Sequence, residues 1–268
     1  VYTLKAEETY SYVAVKAGYV TKKDTISVTE DTEKTITMEK APESTRKDVS
    51  AAWKNFRNSD DNMGITSAKT PTSEATTYEK WFKKLGSGWG AAPSVQIIVD
   101  NSLIVMSANH IYKLDLNTGD ILQTGDMVAA TNFGYTPPTY ADGMIFAPLA
   151  DGRVQAFNAE TLESLWVYQD TLKGQSLSPI TYSDGYIYTG FWNAETKDAN
   201  YVCIPVTDED PTNAQEAKEA AWQYTSLGGF YWAGSVVRGD YVVFGTDDGT
   251  SGSDGTGHVL SLNKKTGE

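Results

Sequence analysis

Ile111-Tyr112-Lys113-Leu114-Asp115-Leu116-Asn117-Thr118-Gly119-Asp120 reads as a strand that runs into a tight Thr-Gly turn. The pattern returns along the chain. His110–Asp115 aligns with Arg153–Asn158, with Asn200–Pro205 and with His258–Asn263. These copies lie roughly 40–60 residues apart. Ahead of each stands a hairpin signal: Asp100-Asn101, Asp142-Gly143, Asp184-Gly185 and Gly239-Asp240. Behind each stands a fourth strand. Gln123 and Trp166 sit at the same distance beyond Thr118 and Thr161, and Trp81 and Trp222 open similar strands that end near Gly86 and Gly228.

Four strands per unit at this period predict an all-β fold, a β-propeller of four-stranded blades. Each blade covers its two faces only with its neighbours, which is why the unit must repeat. The Asp-x-x-Thr-Gly-x-x-x-Trp form resembles the PQQ-like (quinoprotein dehydrogenase-like) repeat. Residues 117–120 and 264–268 carry it best, and 158–166 keep the tryptophan with Leu162 in place of glycine. The third copy departs most: Pro205 replaces the acid, and 208–220 reads as an inserted loop with a short helix. The resemblance covers 53–268. It implies a ring of seven or eight blades, four of them visible, that continues past Glu268; the alternative is a closed four-bladed ring completed by the Trp81 strand.

Before the repeats, Tyr10, Tyr12 and Ala14, then Ile26 and Val28, then Ile36 and Met38 alternate as short antiparallel strands. Residues 1–42 resemble the last strands of a small Ig-like β-sandwich of the PEGA or carboxypeptidase-regulatory type, a spacer on exported bacterial proteins. Residues 43–52 read as a linker around Pro42. The chain is expected to be a piece of a longer exported or cell-surface bacterial protein.

With 22 basic and 35 acidic residues the net charge is −13. Such a surface repels nucleic acid and anionic membranes. No apolar run approaches the ~20 residues of a membrane span. The one cysteine, Cys203, lies in the apolar run Tyr201–Ile204 and reads as a small buried hydrophobe. With it and two histidines, His110 and His258, a transition-metal centre is not expected.

Strand order puts the loops leading into the innermost strands, and those between second and third strands, on one face. Trp89, Phe133, Tyr135, Trp192, Phe230, Tyr231 and Trp232 all fall in such loops. Of these, Trp89, Tyr135, Trp192, Phe230, Tyr231 and Trp232 form the expected ligand platform, where flat rings stack on a sugar or seat a protein side chain. Phe230-Tyr231-Trp232 is its centre, since three adjacent aromatics cannot all face one core. Asp247, Asp248 and Asp254 make an oxygen-rich loop where calcium is conceivable; Asp208, Asp210, Thr212 and Glu219 have a weaker EF-hand-like spacing, with Asn213 where glycine belongs. No other cofactor is expected. The expected function is non-catalytic binding or scaffolding, with a glycan or protein on the aromatic face. The alternative that the resemblance implies is a PQQ- and calcium-dependent oxidoreductase, with Asp248 or Asp254 as base and Trp232 as floor. That family often adds a vicinal cysteine pair, which this chain lacks.

Overall fold

The computed structural model describes residues 2–131, 136–230, 232, 234–252 and 255–268, and the backbone but not the side chain of Trp89. Four antiparallel blades follow the repeats. Blade 1 holds β4 (Ile97–Val99), β5 (Ser102–Ser107), β6 (His110–Asp115) and β7 (Ile121–Asp126). Blade 2 holds β8 (Thr139–Ala141), β9 (Met144–Leu149), β10 (Arg153–Asn158) and β11 (Ser164–Gln169). Blade 3 holds β12 (Thr181–Ser183), β13 (Tyr186–Gly190), β14 (Asp198–Pro205) and β16 (Trp222–Leu227); blade 4 holds β17 (Val236–Arg238), β18 (Tyr241–Gly245) and β19 (Val259–Asn263). The innermost strands β4, β8, β12 and β17 neighbour one another in that order. This is a β-propeller.

One hydrogen bond recurs at every blade junction. The carbonyl just past the third strand is Leu116, Ala159, Val206 or Lys264 in the four units. Trp81 Nε1 donates to Leu116 O at 3.1 Å, Trp166 Nε1 to Val206 O at 3.1 Å, and Trp222 Nε1 to Lys264 O at 2.9 Å. At the second unit the donor is Lys113 Nζ, 3.2 Å from Ala159 O. Asp115, Asn158 and Asn263 hold the turn itself, each side-chain oxygen accepting from the backbone N–H groups two and three residues on.

The indole also dictates the glycine. Gly119 and Gly267 have φ of 73° and 75°, and a Cβ there would lie 2.5 Å from the Trp81 ring and 2.8 Å from the Trp222 ring. Leu162 takes the same place at φ 56°. No indole arrives at that junction, so its side chain fills the space and is buried with Ile97, Ile111 and Phe157. Glycine therefore accompanies the indole at Leu116 and Lys264, whereas at Val206 the insertion replaces the glycine turn and Trp166 still delivers its N–H.

A fifth strand runs on the axial side of blade 1. β3 (Ala51–Trp53) pairs antiparallel with β4. The segment enters at the hairpin face, where a Cβ on Gly143 would lie 2.7 Å from Lys47 O. Val49 N donates to the Tyr140 hydroxyl at 2.6 Å, which itself donates to Asp48 at 2.6 Å. Burial, then the Asp48 carboxylate, push that phenol up to about 12. Tyr140 N bonds Lys54 O, and Asn62 Nδ2 reaches Ser235 O at 2.5 Å, at the loop end of β17. Residues 46–62 thus run along the inner strands β4 and β8 to the start of β17. What reads as a linker over 43–52 ends as part of a sheet.

The N-terminal region is docked. β1 (Glu8–Ala14) and β2 (Lys22–Val28) form a hairpin; the expected strand at Ile36 and Met38 is reduced to one bridge, Tyr19 to Lys40. Ala17 N donates to the Tyr186 hydroxyl, Gly18 N to Thr207, and Thr21 to both oxygens of Glu209. The insertion that receives it contains a strand and not the expected helix. β15 (Glu216–Lys218) adds in parallel to the outer edge of β11. Lys218 is buried between Glu209 and Glu216 and donates to Thr207 O at 2.8 Å. Extended pairing places both charged side chains of β15 inward, where a helix would splay them.

Gly119→Ala should lower stability by about 2–4 kcal/mol, from left-handed backbone strain and overpacking of the Trp81 ring. Thermal melting monitored by tryptophan fluorescence checks this, and an unchanged melting temperature would separate the glycine from the junction.

Candidate functional site

The loop face is the end of the propeller opposite the docked hairpin. Short hydroxyl bridges hold the inner strands just below it. Thr139 Oγ1 donates to Ile180 O at 2.9 Å, and Thr181 Oγ1 makes the equivalent bond to Ser235 O at 2.9 Å. Ser176 Oγ donates to Leu149 O at 2.5 Å, tying the loop into blade 3 to the end of β9. These bonds give the loops a fixed floor.

Trp232 stands on that floor. It is 61% exposed, and its backbone is left-handed at φ 68°. Its N–H bonds Leu177 O at 3.2 Å, so blade 3 fixes the backbone. A bulky residue in this region is uncommon and costly. Trp192 is half-buried and pairs its backbone with Gln175 in both directions, at 2.6 and 2.9 Å.

Phe230 does not belong to the platform. It is 1% exposed and packs edge-on against Tyr201 and Phe244, with ring centroids at 5.3 and 5.6 Å. Gly190, where a Cβ would lie 2.5 Å from that of Phe230, lets the ring sink between blades 3 and 4. Core packing thus takes the first of the three adjacent aromatics. Trp89 starts a single 3-10 turn at 89–91. Phe133, Tyr135 and Tyr231, with Asp254 of the acidic loop, lie outside the described residues.

The sequence gives no sign that Met63 and Ile65 are exposed after a segment that runs along the inner strands. They are 60% and 67% exposed and follow Asn62, whose amide is anchored to Ser235 O. Only the path of 46–62 along the inner strands brings them near blade 4, and that path has no local signature. Leu227, 51% exposed, ends β16 beside Gly249 on the loop face.

In the acidic loop, Asp248 Oδ1 accepts from Thr250 N and Thr250 Oγ1, and Asp247 Oδ1 from Asp248 N. Asp247 Oδ2 is buried without a hydrogen-bond partner. Among the described residues no group of three His, Cys, Asp or Glu side chains is arranged to hold a metal. The EF-hand-like carboxylates are dispersed: Asp208 pairs with Arg46, Glu219 with Lys23, and Asp210 caps Thr212. The groups that a quinone cofactor would use do not assemble either. Asp248 serves its own loop, and Cys203 is buried in the blade 3–4 core, its thiol pushed up by burial.

The family described as outer membrane protein assembly factor BamB matches residues 70–195, just under half of the chain. No curated protein matches the sequence. Among solved structures, the chain is similar to quinohemoprotein alcohol dehydrogenase ADHIIG from Pseudomonas putida HK5, at 15% identity and a TM-score of 0.50, over 65% of this chain and 33% of that one. It is also similar to BamB from Moraxella catarrhalis, at 18% identity and a TM-score of 0.45, over 65% and 49%, and to the computationally designed protein Ika4, at 16% and 0.46, over 67% and 98%. The chain thus spans about a third of the dehydrogenase and half of BamB. The likeness establishes the propeller fold.

Trp232→Asn should raise stability by about 1 kcal/mol, or about 2–4 °C in melting temperature, because asparagine tolerates the left-handed backbone. Calorimetry checks this; a fall in melting temperature would mean that the indole is structural.

Proposed function

We propose that this chain is a non-catalytic scaffold propeller of the bacterial envelope or cell surface, which binds a protein partner on its loop face. The observation that carries this reading is Trp232: an exposed indole held on a left-handed backbone by a blade 3 carbonyl. Backbone strain of this kind gathers at functional sites, and tryptophan is enriched at the centres of protein interfaces. Leu227, at the end of β16, adds exposed apolar surface on the same face.

The segment 46–62, held against the inner strands β4 and β8 and the start of β17, stiffens the propeller as a scaffold needs. The match to an outer membrane assembly factor supports an envelope setting. No helix among the described residues is long and apolar enough to cross a membrane. A glycan stacked on Trp232 is the other occupant that this surface chemistry allows.

The test is photo-crosslinking of the full-length protein in its native envelope, with the reactive group at position 232 or, on the hairpin face, at 240. The expected result is a protein adduct from 232 and none from 240. Adducts from 240 alone, or from neither, would reject the proposal; a glycan adduct at 232 would replace the protein partner with a sugar.

A further inference from the structure

On the hairpin face, a cleft of about 400 Å³ lies between the docked N-terminal region and blades 2 and 3. That is the size of a small-ligand site. Arg46 and Asp208 lie deep in it. Arg46 Nη1 donates to Asp208 Oδ2 at 2.7 Å, and the Asp208 side chain is 4% exposed. The pair leaves two buried atoms without a hydrogen-bond partner, Arg46 Nε and Asp208 Oδ1. One is a donor and the other an acceptor. Buried polar atoms of this kind are satisfied by an ordered water or by a ligand group that takes its place.

The rest of the lining narrows the chemistry. Asp142 lies across the cleft, its Oδ2 taking the Tyr182 hydroxyl at 2.5 Å. Ser44, Thr45 and Thr207 add hydroxyls, and Met144, Val206 and Pro211 add apolar surface. Glu43, Asp142 and Asp208 outnumber Arg46, so an anion is repelled. A bare metal ion lacks its ligand set, since no three carboxylate or imidazole groups converge among the described residues. An ammonium donates but cannot accept from Arg46 Nε. A hydroxyl does both: it accepts from Arg46 Nε–H and donates to Asp208 Oδ1. A ligand with several hydroxyls and C–H faces suits both kinds of wall.

We propose that this cleft binds a neutral sugar residue, with Arg46 and Asp208 sharing one hydroxyl and Asp142 receiving another. The site is separate from the loop face and does not depend on what binds there. It gives the docked N-terminal region a role beyond spacing, because residues 43–46 form one wall.

The test uses the full chain and saturation-transfer NMR with glucose, galactose, mannose and N-acetylglucosamine. At least one should bind. Asp142→Asn should weaken binding about tenfold, which corresponds to about 1.4 kcal/mol. Thr45→Trp should block the cleft from the exposed linker, with the melting temperature unchanged. Trp232→Ala should leave the affinity as it is. Absence of binding by all four sugars would overturn the proposal and leave water as the partner of the two buried atoms. Binding lost in Trp232→Ala and kept in Thr45→Trp would also overturn it and assign the sugar to the loop face.

Discussion

The carbonyl that follows the third strand of each unit organises the molecule. Leu116, Ala159, Val206 and Lys264 each accept a hydrogen bond from a side chain of the preceding segment or blade, and Lys264 also accepts from the Tyr188 hydroxyl. Where the donor is an indole, the bond fixes both the distance and the tilt between blades, because a ring must lie flat on the turn to deliver its N–H. Trp81 and Trp222 lie on Gly119 and Gly267, which have no Cβ to obstruct them. Where the donor is Lys113, a flexible chain delivers the bond and Leu162 fills the volume. The two solutions differ in chemistry and give the same junction. Repetition of this bond keeps the blades in one phase, so their corresponding loops share one face.

Most of the architecture was legible for that reason. The period, the hairpin turns, the Asx turns at Asp115, Asn158 and Asn263, and the recurring tryptophan are local patterns. Local patterns set by strand pairing and turn chemistry can be read from one sequence. The departures came from contacts between distant segments. Residues 43–52 look like a linker, since nothing in a short polar stretch announces that its end will pair with β4. Glu216-Ala217-Lys218 within 208–220 look helical, and become a strand because the edge of β11 is open to them.

The candidate site was legible in outline and not in detail. Strand phase placed the aromatic-bearing loops at one end of the blades. It could not tell Phe230 from Trp232, since both lie in one glycine-rich loop. The difference is made by Gly190, forty residues earlier in the chain, whose missing side chain admits the Phe230 ring to the core. The exposure of Met63 and Ile65 was invisible for the complementary reason: the route of 46–62 along the inner strands delivers them, and that route depends on Tyr140, Asn62 and Ser235 meeting across the fold. The docking of the N-terminal hairpin through Glu209 and Thr207 was equally hidden, and it creates a second polar surface on the opposite face.

The claim on which the account depends is that the segment reading as a linker becomes part of the propeller by pairing with the inner strand of blade 1. Hydrogen–deuterium exchange of the full chain tests it directly. Amides of 51–53 should exchange as slowly as those of Ile97–Val99, the strand they pair with. Exchange at the rate of an exposed linker would contradict the account.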